Sequence, residues 1–169
     1  FKDLTREESN QFRADLVGML ERPTYLVELT EICVALDIRE SCARIFAIAQ
    51  KPPQRLRVDG HAIPADHIQE FCIAALGHLK YVEALTWLRG LIEKRLSTAA
   101  AKPQIVRALE FSGLLISMAS MDLDAALEYL PKCVKLTWKK VLENNHTIGD
   151  LYRKADEMNP IGRQRHKGE

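Results

Sequence analysis

The sequence lacks an excess of charge, a long apolar run and a high content of aromatic residues. Lys and Arg number 24 and Asp and Glu number 23, so the net charge of +1 does not indicate charge-driven binding to a nucleic acid or a membrane. The longest apolar candidate, residues 112–121, is shorter than the roughly 18 residues of a membrane span. Aromatic residues are 7% of the chain, and Ala and Leu are abundant, which favours helices over a β-sandwich or barrel.

Sequence signatures of catalysis and of cofactor binding are also missing. The chain has no G-x-x-x-x-G-K-[ST] and no G-x-S-x-G, and its histidines show no H-E-x-x-H spacing. His61 and His67 are six residues apart, and neither lies near a cysteine at a zinc-ligand spacing. Asp122, Asp124 and Glu128 lack the Gly and the downstream Glu of a calcium loop, so we interpret Asp122 as a helix cap. We therefore predict a non-enzymatic chain with no cofactor and no metal ion.

The four cysteines do not form a C-x-x-C pair or a disulfide framework. We interpret them as reduced thiols in a cytosolic or matrix-like compartment. Cys33, Cys42 and Cys72 fall on predicted core helices, where packing is favoured over reactivity. For Cys133, which follows Pro131, the sequence leaves the two roles open.

The chain begins at Phe1 rather than at Met. Removal of a mitochondrial transit peptide would account for this start, and so would a chain that is only part of a longer product. The sequence shows no signal-peptide pattern.

Apolar spacing predicts an all-α chain of about eight helices without strands. Thr5 and Glu8 form a capping box that begins the first helix. The other helices are predicted at about 24–36, 39–50, 65–78, 80–95, 104–120, 122–143 and 144–158. Residues 51–64 and 96–103 are expected to be connectors, and Pro131 is expected to kink or break its helix.

A shift of 42 residues aligns the chain with itself. The aligned columns are Cys42/Ala84/Ala126, Ala43/Leu85/Leu127, Ile45/Trp87/Tyr129, Phe46/Leu88/Leu130, Val34/Leu76/Met118 and Ala35/Gly77/Ala119. The pattern predicts one domain of three helical hairpins. These are 23–50, 64–95 and 103–143, flanked by an N-terminal helix at 1–22, a C-terminal helix at 144–158 and a tail at 159–169. In this register Trp87 is a core residue, and Trp87→Ala is predicted to cost about 3–5 kcal/mol.

The repeated segments resemble pentatricopeptide repeats (PPRs). The clearest is IQEFCIAALGHLKYVEALTWLRGLI at 68–92, and residues 22–49 and 109–130 are similar to the same family. Tetratricopeptide repeats share the hairpin and stay an alternative. The 42-residue spacing exceeds the family's period of about 35 residues. Tyr25 is followed by the apolar Leu26 and Val27, where RNA-reading members carry small polar residues, so the chain is expected not to read RNA.

In length and repeat number the chain is most similar to the small PPR-type accessory subunits of the euglenozoan mitochondrial F1-ATPase. The resemblance implies a non-catalytic subunit of the ATP synthase, on the matrix side and peripheral to the inner membrane. It also implies binding to the outside of the F1 α subunit through the repeat surface and the tail. The alternatives are an organellar RNA-binding PPR protein and a subunit of another mitochondrial assembly such as the ribosome.

Two basic clusters are candidate contacts with an acidic partner. Arg163, Arg165 and Lys167 lie in the tail and are the predicted partner-binding residues. The second cluster lies in the 51–64 connector and comprises Lys51, Arg55 and Arg57. For both clusters, solvated surface charge is the alternative.

Overall fold

The described part of the chain is mostly helical, as the sequence predicts. The computed structural model describes residues 5–22, 25–54, 56–58, 61–101 and 109–143. These residues form seven α-helices: α1 (Arg6–Met19), α2 (Leu26–Ala35), α3 (Cys42–Gln50), α4 (Ala65–His78), α5 (Leu85–Ala101), α6 (Leu109–Met121) and α7 (Leu123–Glu143). Short 3₁₀ turns, Arg39–Ser41 and Val82–Ala84, precede α3 and α5. The predicted helix at 144–158 and the tail at 159–169 lie outside the described residues.

The capping box predicted for α1 is confirmed. The backbone N–H of Thr5 donates to Oε2 of Glu8 at 2.8 Å, and the N–H of Glu8 donates to Oγ1 of Thr5 at 3.3 Å. These bonds satisfy donors that the first helical turn leaves without partners. Leu16 and Leu20 are buried, and they place α1 against the rest of the core.

The turn between α2 and α3 and the turn between α4 and α5 have the same backbone conformation. Each passes through one residue in the left-handed region, Asp37 at φ 48° and Lys80 at φ 54°. In each turn the next residue donates its N–H to the carbonyl five residues earlier: Ile38 to Cys33 at 2.8 Å, and Tyr81 to Leu76 at 3.0 Å. This is the Schellman termination of a helix, in which glycine is the usual left-handed residue. Neither Asp37 nor Lys80 is a glycine, so the sequence does not mark the turns.

The structure corrects the 42-residue register of the first two hairpins. Their equivalent turn residues, Asp37 and Lys80, lie 43 residues apart. The fully buried positions have the same spacing: Cys33 and Leu76, Ile45 and Leu88, and Ala49 and Ile92. The buried positions of α5 and α7 lie 41 residues apart: Ala84 and Ala125, Leu88 and Tyr129, and Ile92 and Cys133. The α5 residues of the aligned columns are therefore one position off, which on a helix is a rotation of about 100°, whereas α3 and α7 keep the predicted separation of 84 residues.

Trp87, predicted as a core residue wedged between hairpins, packs against the core at its edge. Trp87 is only partly buried, and its ring meets the ring of Phe46 edge-on at a centroid distance of 5.6 Å. Trp87 thus contacts the preceding hairpin, as expected. The residue with no exposed surface is its neighbour Leu88.

A short β-hairpin replaces part of the predicted 51–64 connector. Strands β1 (Leu56–Val58) and β2 (His61–Ile63) pair antiparallel, with Leu56 opposite Ile63. Leu56 is 2% exposed and joins the core. The expectation of no strands is wrong here because three-residue strands are too short to show a period of two.

The predicted end of α5 is wrong, and of the kink or break predicted at Pro131, the break does not occur. α5 continues to Ala101 rather than ending near residue 95, since the segment 96–101 contains three alanines, the best helix former. α7 continues through Pro131 from Leu123 to Glu143. Leu127 and Pro131 are both exposed, so water can bind the Leu127 carbonyl that Pro131 leaves without a helical donor.

The core centres on α4, which packs against α2, α3 and α6. Gly77 is buried at the contact between α4 and α6, and a Cβ built on it would lie 2.8 Å from the Cα of Ser117. α6 and α5 then pack against α7. None of the described helices has the combined length and apolar character needed to cross a membrane.

Candidate partner-binding surface

α7 carries a row of exposed apolar side chains. Leu123, Leu127, Leu130 and Val134 are 60%, 49%, 43% and 39% exposed. Their spacing of four, three and four residues places them on one face of the helix. We call these four residues the α7 stripe. Contiguous exposed apolar surface of this kind is typical of interaction sites.

The equivalent face of α5 is mostly polar. With the 41-residue spacing of the buried positions, the four stripe positions correspond to Val82, Thr86, Arg89 and Glu93. All four are exposed, and three of them are polar. Hairpin packing therefore does not require apolar residues at these positions. The apolar row is therefore a feature of α7 that α5 does not share.

A different face attaches α7 to the rest of the molecule. Ala125, Tyr129 and Cys133 are buried, and the Tyr129 hydroxyl donates to Oε1 of Glu93 on α5 at 2.9 Å. Burial and the neighbouring Glu93 carboxylate raise the pKa of Tyr129 to about 12, so the hydroxyl keeps its proton at neutral pH. Because this buried face attaches α7 to the described core, the α7 stripe does not hold the helix in place.

The start of α7 is fixed by the cap that the sequence predicts. Oδ1 of Asp122 accepts the N–H of Ala125 at 3.2 Å, which confirms Asp122 as a helix cap. The N–H of Asp122 in turn donates to the Met118 carbonyl at 2.7 Å. α6 and α7 are therefore joined by a single residue, and this tight connection fixes the position of Leu123, the first residue of the stripe.

Most of the predicted basic residues cannot be compared with the stripe, because the structure does not describe them. Arg163, Arg165 and Lys167 lie outside the described residues, and so does Arg55. The side chain of Arg57 is not described either. Lys51 is exposed, between α3 and β1. The assignment of the tail cluster to a partner stays a prediction.

All four cysteines are buried free thiols, including Cys133, whose role the sequence leaves open. Burial raises the pKa of each thiol, to about 11 for Cys42 and to about 12 for Cys72. A raised pKa means less of the thiolate, which is the nucleophile. The interpretation of Cys33, Cys42 and Cys72 as packing residues is confirmed.

The raised pKa values lead to an expected result in alkylation. Relative to an ordinary thiol of pKa near 9, a pKa of about 11 lowers the thiolate fraction at pH 8 about 100-fold. At pH 8 we expect iodoacetamide to alkylate Cys42 and Cys72 in the native chain about 100-fold more slowly, or slower still, than in denaturant. Mass spectrometry of tryptic peptides measures both rates. Alkylation of either thiol at the denatured rate in the native chain would contradict the burial.

A cleft of about 490 Å³ lies between α4, α5 and α6. Arg95 bridges to Glu70 within it, with Nη1 3.0 Å from Oε1, and Phe111 supplies an apolar wall. These groups are a surface ion pair and a packing contact rather than a nucleophile with a base. Among the described residues, no group of His, Cys, Asp and Glu is arranged to hold a metal ion.

Sequence reasoning missed the α7 stripe because of the register. The 42-residue columns place Leu127 with Leu85 and Leu130 with Leu88, which makes both look like packing residues. The four-three-four spacing is visible in the sequence. Its exposure is not, because a buried and an exposed apolar face have the same pattern.

Comparisons of the chain with protein-family models, with curated proteins and with solved structures find no match.

Proposed function

We propose that the chain is a non-catalytic accessory subunit of the mitochondrial ATP synthase, bound to the outside of the F1 α subunit. The observation that carries the proposal is the α7 stripe, exposed and apolar where the equivalent positions of α5 are mostly polar. An apolar face that the packing of the described residues leaves exposed is suited to binding a protein. The resemblance of the sequence to the small PPR-type subunits supplies the identity of the partner and the mitochondrial location.

The architecture we propose is a short helical-hairpin repeat of the PPR or tetratricopeptide type. Two helix terminations with the same hydrogen bonds, at Asp37 and Lys80, support it. Matching buried positions on α3, α5 and α7 also support it. Stacked hairpins present an extended surface on which a large partner can be bound without a catalytic pocket.

Recovery of partner proteins tests this proposal. The full chain, tagged and expressed in euglenozoan mitochondria, is expected to co-purify with the F1 α and β subunits at a stoichiometric ratio. Quantitative mass spectrometry of the eluate measures the ratio. Recovery of RNA-processing factors or ribosomal proteins without ATPase subunits would contradict the proposal, and so would salt-sensitive binding of single-stranded RNA by the purified chain.

A further inference from the structure

We draw no further inference here: the strongest candidate, the exposed apolar face of α7 that the α7 stripe forms, carries nothing beyond the proposed function, because nothing in the structure shows what covers it.

Discussion

Gly77→Ala is expected to lower the free energy of unfolding by about 2–3 kcal/mol. The added Cβ would lie 2.8 Å from the Cα of Ser117 and 2.9 Å from its Cβ, which is closer than such atoms approach in real proteins. The obstacle is backbone rather than the end of a flexible side chain. Relief therefore requires α4 and α6 to move apart, and this loosens the contact at the centre of the core. Urea denaturation of the purified chain measures the change.

Gly90→Ala is the matched control. Gly90 lies inside α5, and a Cβ built there meets no atom within 4 Å. Ala is a better helix former than Gly, so this substitution is expected to stabilise the chain by about 0.5–1 kcal/mol. If Gly77→Ala stabilised the chain as Gly90→Ala does, the close approach of α4 to Ser117 would be refuted.

Leu88→Ala and Leu130→Ala are expected to differ strongly in their effect on stability. The 42-residue columns make the two leucines equivalent, whereas the structure places Leu88 at 0% and Leu130 at 43% exposed. Removal of the buried side chain leaves a cavity and costs about 3 kcal/mol. Removal of the exposed one costs less than about 1 kcal/mol.

The same denaturation experiment measures both variants. The residue type and the substitution are identical, so the difference between the two free energies reports burial alone. Equal losses would restore the 42-residue register and would place Leu130 in the core. In that case the α7 stripe would not be a surface.

Local chemistry accounts for the parts of the fold that the sequence predicts. The cap of α1 needs only Thr5 and Glu8, and the cap of α7 needs only Asp122, so both are readable from neighbouring residues. The apolar periodicity likewise gives most of the helices. It fails at 96–101, where the sequence predicts a connector in the alanine-rich end of α5 although alanine favours helix.

The register depends on turn geometry that the sequence does not display. The left-handed residues are Asp37 and Lys80 rather than glycines, so nothing marks where α2 and α4 end. Gly77, which looks like a terminating residue, is instead needed for contact with Ser117. Relative to the 42-residue alignment, only the positions of α5 are shifted by one residue, a rotation of about 100°, so the columns that pair Leu127 with Leu85 and Leu130 with Leu88 do not hold.

The position of the candidate site could not be predicted from the sequence. Composition and missing motifs favour a binding protein over an enzyme, and the resemblance implies a partner; both stay predictions. The residues named for contact were Arg163, Arg165 and Lys167, chosen for their charge. The α7 stripe depends on which apolar face stays exposed, and that is decided by the packing of α5 and α6 against α7.

The most direct test of the account compares three tagged full-length chains in mitochondria: the parent, Leu123→Gln with Leu127→Gln, and Val82→Gln with Thr86→Gln. Quantitative mass spectrometry measures the F1 α subunit recovered with each. We expect stoichiometric recovery with the parent and with the Val82 and Thr86 control, and a loss of about ten-fold or more with the stripe variant. Equal recovery by all three chains would contradict the account.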